Sequence, residues 1–225
     1  MEINTQHYIA KCLPEQIGEA ERYISDIEKV WNIMVDIFGK EPMIKKYIVD
    51  FTLDKGVCYA GSGKIIIYKH ELDNLLPYPN NLMQGLVFET FHGFLEHVKH
   101  RPNGYGVTPY YGENQLGESF STILKIELLD RLGLKEEANK FRKGKGMGKS
   151  HHQLLFLLVE LHEEYGIGLF QKLFRVLENE EKPIITKELP KDELCRCLSE
   201  CAKEDLSSRF TKHEYHINSP IILSG

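Results

Sequence analysis

The sequence lacks the features that would assign it to a membrane or nucleic-acid-binding class. No run of about 20 apolar residues, the length that a bilayer-spanning helix needs, occurs in it. Its start, Met1 to Asn4, carries no basic region followed by an apolar run, so we expect a cytoplasmic location. The formal net charge is -5 and no helix carries an arginine-rich stripe, which argues against nucleic acid as a partner. We therefore expect a globular protein with neither nucleic acid nor a membrane as its partner.

Cysteine is also scarce. The chain holds five cysteines, an odd count without the spacing of a disulfide framework. Three of them, Cys195, Cys197 and Cys201, lie close together in the sequence, and zinc binding is one interpretation of that cluster. Cys197 and Cys201 would share a helical face with Leu194 and Leu198, however, and free cysteine often packs as a small hydrophobe. We therefore expect these thiols to be reduced and buried.

Hydrophobic periodicity predicts an α+β protein. After an irregular start, a long amphipathic helix is predicted over residues 14–38, and a glycine follows its last apolar residue. Short runs of β-branched and aromatic residues predict strands at 46–53, 56–60 and 64–68, with a short helix at 70–76. Later helices are predicted at 115–132, 135–142, 150–165, 169–178, 191–202 and near Leu206. The predicted organisation is an α+β half over 1–100 and a helical half over 101–225, packed as one compact unit.

Residues 84–98 form the stretch around which this pattern is organised. Its apolar positions follow the i, i+4, i+7, i+8, i+11 series of a core-facing helix. These positions are Val87, Phe91, Phe94, Leu95 and Val98. The stretch is followed by a segment rich in glycine, proline and tyrosine at 101–114, and long segments of this kind often belong to binding sites.

One flank of this predicted helix matches a zinc-peptidase motif at two of its three specified positions. In H-E-x-x-H, two histidines one helical turn apart bind zinc and the glutamate is the general base. Glu89 and His92 occupy the positions of the base and the second ligand, whereas Phe88 stands where the first histidine belongs. Glu118, which opens the next long helix, is the candidate third ligand. Glu89, His92 and Glu118 are thus the candidate site residues.

Each of these residues also has an ordinary explanation. A glutamate in a first helical turn is stabilised by the helix dipole whatever its function, which would account for Glu118. A single histidine beside an apolar stripe is more often a hydrogen-bonded core residue than a metal ligand. Local motif matching by itself therefore does not distinguish a metal site from a buried helix.

The wider layout resembles the peptidase MA-like gluzincins, a group of zincin-fold metallopeptidases. The resemblance rests on the order of the elements: a helix, a small sheet, the Glu89/His92 helix, a glutamate that opens a second helix, and a helical tail. Within the tail, 165–174 and 198–210 are similar to segments of enhancin-type and related mucin-degrading peptidases. The resemblance spans about residues 14 to 216 and implies a zincin-like fold, with Glu89 as general base and His92 and Glu118 as zinc ligands.

The same resemblance implies zinc as the cofactor, but Phe88 would have to be the first ligand, and a phenyl ring cannot bind the metal. We therefore predict a metallopeptidase homologue with an incomplete zinc site, non-catalytic or impaired, whose cleft binds a peptide or protein segment. One alternative is an active zinc metallopeptidase that uses an unconventional ligand. A second is a helical interaction protein with no metal site. The sequence does not specify an oligomeric state.

Overall fold

The computed structural model describes residues 1–56, 58–98, 116–145, 152–178 and 191–213. Its strands are β1 (Glu2–Asn4), β2 (Tyr8–Lys11), β3 (Tyr47–Asp50), β4 (Tyr59–Gly61) and β5 (Lys64–Ile66). Its helices are α1 (Ile17–Phe38), α2 (Lys69–Asp73), α3 (Gly85–Phe94), α4 (Leu116–Arg131), α5 (Lys135–Arg142), α6 (His152–Tyr165), α7 (Ile167–Leu177), α8 (Lys191–Ala202) and α9 (Ser207–Lys212). The predicted α+β class, with a small N-terminal sheet and a helical second half, is confirmed.

Helix α1 forms where the sequence predicted it. Its apolar residues recur at helical spacing and are buried, with Met34 fully shielded from solvent and Trp31 packed against Tyr47 of β3. The helix ends at Gly39, whose φ of 84° is a left-handed conformation, and the Gly39 N–H donates to the carbonyl of Val35. Composition and capping thus agree on where this helix ends.

The described strands form one sheet in the order β1-β2-β3-β5-β4. The central pairs β2/β3 and β3/β5 are parallel, and each outer pair is antiparallel. Strands β4 and β5 are joined by a two-residue turn in which Ser62 and Gly63 have φ values of 53° and 74°. Positive φ at both positions fits the twist of a tight hairpin. Strand β4 is therefore the outermost described strand on the side of the sheet next to β5.

The prediction of an irregular start is wrong. Residues 2–4 and 8–11 form β1 and β2, and Tyr8 pairs with Tyr47 of β3. Strands of three and four residues are too short to show a clear alternation of apolar and polar side chains. Strand β2 is stabilised by pairing with β3, which lies about 40 residues later in the chain, and β1 is stabilised by pairing with β2.

Helix α3 lies directly on the inner face of the sheet. Its predicted apolar stripe is buried as a set, and Phe94 packs edge-on against Trp31 with ring centroids 5.1 Å apart. A Cβ atom on Gly93 would lie 2.5 Å from the ring of Tyr47, so only glycine permits this close approach. Regular helix ends at Phe94, one residue before a 3-10 turn at Leu95–His97.

The helical half packs around α4, which contacts α1, α3, α5 and α6. Cys195 and Cys197 of α8 are buried in the hydrophobic core, as predicted, whereas Cys201 at the end of the helix is only partly buried. No described helix has the length and apolarity to cross a membrane. The tyrosine-rich segment at 101–114 and the proposed boundary between residues 100 and 101 lie outside the described residues, so that division stays a prediction.

Candidate metal site

Hydrogen bonds to two side chains from other elements, Glu71 and Lys125, hold the start of α3 in place. The Gly85 N–H, the first of the helix, donates to Glu71 Oε2 at 3.3 Å. The carbonyl oxygens of Met83 and Gln84, which precede the helix, both accept hydrogen bonds from the Lys125 ammonium of α4. Helix α3 lacks a side-chain N-cap of its own, and these two contacts position it instead.

His92 and Glu118 lie side by side, although 26 residues separate them in the sequence. His92 Nε2 of α3 is 3.4 Å from Glu118 Oε1 in the first turn of α4. The same Nε2 atom is shielded from solvent, and the Glu118 carboxylate is its charged neighbour. Imidazole and carboxylate are also residue types that bind zinc.

The separation of these two atoms fits a shared zinc ion. Two ligands with bonds of about 2.0–2.1 Å in a tetrahedral site lie about 3.4 Å apart. The His92–Glu118 separation of 3.4 Å has that value. This pair therefore fits two protein-ligand positions of a catalytic zinc site.

The third position does not fit. Phe88 lies one turn before His92, and its ring packs edge-on against the imidazole with centroids 4.8 Å apart and an interplanar angle of 81°. A phenyl ring offers no lone pair to a metal. The described residues contain no group of three His, Cys, Asp or Glu side chains arranged to hold a metal ion. Catalytic zinc sites have three protein ligands, so the described part of the chain is one ligand short.

Glu89 lies on the same helix and is 6% exposed. Burial raises the pKa of its carboxyl group to about 7, with a further increase from Glu118, and the positive charges of His92 and Lys125 only partly oppose this. A carboxyl group with a pKa near neutrality can both take up and release a proton at physiological pH. Its electrostatic environment is thus that of a possible general base, the role that the motif implies.

The electrostatics of His92 depend on its carboxylate neighbours. Burial by itself lowers the pKa of the imidazole, but the adjacent Glu118 carboxylate outweighs it and Glu89 adds to the effect. The net result is a pKa above the ordinary histidine value. Without a metal, the two side chains therefore behave as an ion pair.

Lys125 is the residue near the site that sequence reasoning missed. It is 4% exposed, and its ammonium lies 4.4 Å from the centre of the Phe141 ring and 5.8 Å from that of Phe88. Burial lowers the pKa of Lys125 to about 7, although the carboxylates of Glu71 and Glu89 oppose the shift. The sequence hinted at this only by the position of Lys125 between Leu124 and Ile126 in an apolar helix. Its partners lie on other elements of the fold, so the sequence could not indicate them.

Comparison with known proteins finds a structural relative but no sequence relative. No protein family matches the sequence, and no curated protein matches it. The chain is similar to the solved catalytic module of the metalloprotease ZmpA from Clostridium perfringens, with a TM-score of 0.64 and 13% identity. The match covers 96% of this chain and 45% of that chain, so this chain spans less than half the length of the module.

At 13% identity the similarity is one of fold. Together with the element order, it identifies the architecture as a zincin-like, metallopeptidase-like α+β fold. The similarity does not extend to the site residues, which rest on the geometry described above.

Proposed function

We propose that this protein is a zincin-like metallopeptidase homologue with an incomplete zinc site, and that it is non-catalytic or strongly impaired. The observation that carries the proposal is the arrangement of three side chains on two helices. His92 and Glu118 keep the separation of zinc ligands, while Phe88 fills the place of the missing ligand and packs against His92. Two protein ligands are expected to bind zinc much more weakly than three.

We further propose that the outer edge of β4, beside the site, binds an extended peptide or a segment of another protein. Support comes from β4, the outermost described strand on that side, which lies against α3. In a two-residue hairpin the pair next to the turn is hydrogen-bonded and the following pair is not. Ala60 therefore directs its N–H and C=O away from β5, where a peptide strand could pair with them.

Zinc content and peptide binding test this proposal. Protein purified without chelator is expected to contain well below one zinc per chain, and fluorescein-labelled casein, an unfolded polypeptide, is expected to bind without being cut. Replacement Ala60→Pro removes the outward N–H and should weaken that binding, because proline is tolerated at a strand edge but cannot donate. One zinc per chain together with casein hydrolysis would contradict the proposal.

The alternative of an active zinc metallopeptidase with an unconventional ligand is favoured by one observation, the pKa of about 7 at Glu89. It predicts measurable hydrolysis that Glu89→Gln abolishes. Unchanged hydrolysis in that variant would count against it. The second alternative, a helical interaction protein with no metal site, is favoured by a large distance between His92 and Glu118, and their 3.4 Å separation counts against it.

A further inference from the structure

A third residue on the flank of the motif helix reaches the sheet. Phe88, His92 and Glu96 are spaced four residues apart, and Glu96 lies in the 3-10 turn that continues α3. Its side chain is directed to the hairpin between β4 and β5, where Glu96 Oε1 accepts a hydrogen bond from the Gly63 N–H at 3.2 Å. Glu96 is 7% exposed, so this contact is shielded from water.

Gly63 is held from two directions. Its carbonyl oxygen accepts a hydrogen bond from the Ile48 N–H of β3 at 2.9 Å, which fixes the turn to the middle of the sheet. Its N–H points the other way, to Glu96. A turn residue has no strand partner for its N–H, so the carboxylate supplies the acceptor that the sheet does not.

The hydrogen bond between Glu96 and Gly63 restrains the edge strand β4 rather than the hydrophobic core. Helix α3 is fixed on the inner sheet by Gly93 and Tyr47, whose close approach leaves no room for movement toward the sheet. Strand β4 has one described strand partner, β5, to which three residue pairs join it, and it packs against α3 on one side. A two-stranded hairpin is only marginally stable by itself, so a hydrogen bond from α3 to its turn adds a directional restraint to that packing.

We infer that Glu96 is a positioning residue that fixes the edge strand β4 against the helix carrying His92. The carboxylate holds the hairpin turn, the turn holds β4, and β4 presents its outer edge beside the site. The inference rests on the proposed peptide binding for its functional consequence. The hydrogen bond from Gly63 to Glu96 can itself be measured without any peptide.

The variants Glu96→Ala and Glu96→Gln separate this role from a general contribution to stability. Alanine removes the acceptor, whereas glutamine keeps an oxygen that can accept from Gly63. Exposed Glu136 of α5 supplies the matched control, Glu136→Ala. Amide hydrogen exchange at Gly63, followed by NMR, should be at least about tenfold faster in Glu96→Ala, because hydrogen bonds to charged groups contribute more than neutral ones. Glu96→Gln should restore part of the protection, because its amide oxygen accepts a neutral hydrogen bond from Gly63.

Binding of fluorescein-labelled casein, measured by anisotropy, should weaken in the same order, with Glu96→Ala below Glu96→Gln and Glu136→Ala unchanged. Equal exchange at Gly63 in wild type and Glu96→Ala would overturn the inference. Lost protection with unchanged casein affinity would also overturn it, because the turn would then be held without any effect on binding. If the wild type does not bind casein, the proposed peptide binding fails, while the exchange data still decide whether Glu96 holds the turn.

Discussion

Replacing Phe88 with histidine should create a zinc site, because the proposed site lacks the ligand that the motif has at this position. The phenyl ring already lies 4.8 Å from the His92 imidazole, so an imidazole at position 88 would stand beside the pair formed by His92 and Glu118. Four-ligand structural sites bind zinc with about 10–16 kcal/mol, so one ligand contributes roughly 3 kcal/mol, or about a hundredfold in affinity.

Lys125 reduces that gain when it is charged. Its ammonium is 5.8 Å from the centre of the Phe88 ring, and a nearby positive charge opposes a divalent cation. Because the pKa of Lys125 is lowered to about 7, the side chain is mostly neutral at pH 8. The full gain is therefore expected at pH 8 and a smaller one at pH 6, where an imidazole ligand is also partly protonated.

Calorimetric titration with zinc in the presence of a competing chelator measures this gain. Phe88→Ala is the matched control, because it removes the ring without adding a ligand, and His92→Ala combined with Phe88→His should lose the gain. If Phe88→His binds zinc no better than Phe88→Ala at pH 8, position 88 does not face the metal position and the inferred geometry is wrong.

Two further predictions concern the frame around the site. Gly93→Ala should lower the free energy of unfolding by about 1–3 kcal/mol, because its Cβ would overlap the tyrosine ring beneath α3. Gly18→Ala should instead be neutral or stabilise the protein by up to about 1 kcal/mol, because no heavy atom of a neighbouring element lies within 4 Å of the added carbon. Denaturant unfolding of both variants measures the two changes in free energy. The pKa of Lys125 is about 7 in the folded state and 10.5 ordinarily. Between these two pH values the unfolded state binds more protons than the folded state. The free energy of unfolding of the wild type should therefore increase as pH rises from about 7 to about 10. Lys125→Met removes this gain, and equal pH dependence of unfolding in wild type and variant would contradict the assignment.

Much of the fold could be predicted from the sequence because its longer elements are locally specified. Helix α1 has an unbroken apolar stripe and a glycine after its last turn. In the structure the stripe is buried and the glycine caps the helix. The predicted apolar stripe of α3 is likewise buried, since burial follows the 3.6-residue period of the helix. Strands β1 and β2 were not predicted, because three or four residues carry too little pattern and because β2 forms by pairing with the distant β3 and β1 by pairing with β2.

The sequence by itself determined which residues of the motif helix could carry chemistry: Glu89 and His92 have the right types and spacing, and Phe88 does not. Only the tertiary structure decided that Glu118 comes within 3.4 Å of His92 and that Lys125 and Glu96 tie α3 to α4 and to the edge hairpin. The reason is physical. Spacing along one helix is fixed by its 3.6-residue period, whereas distances between helices and strands depend on how their buried faces pack.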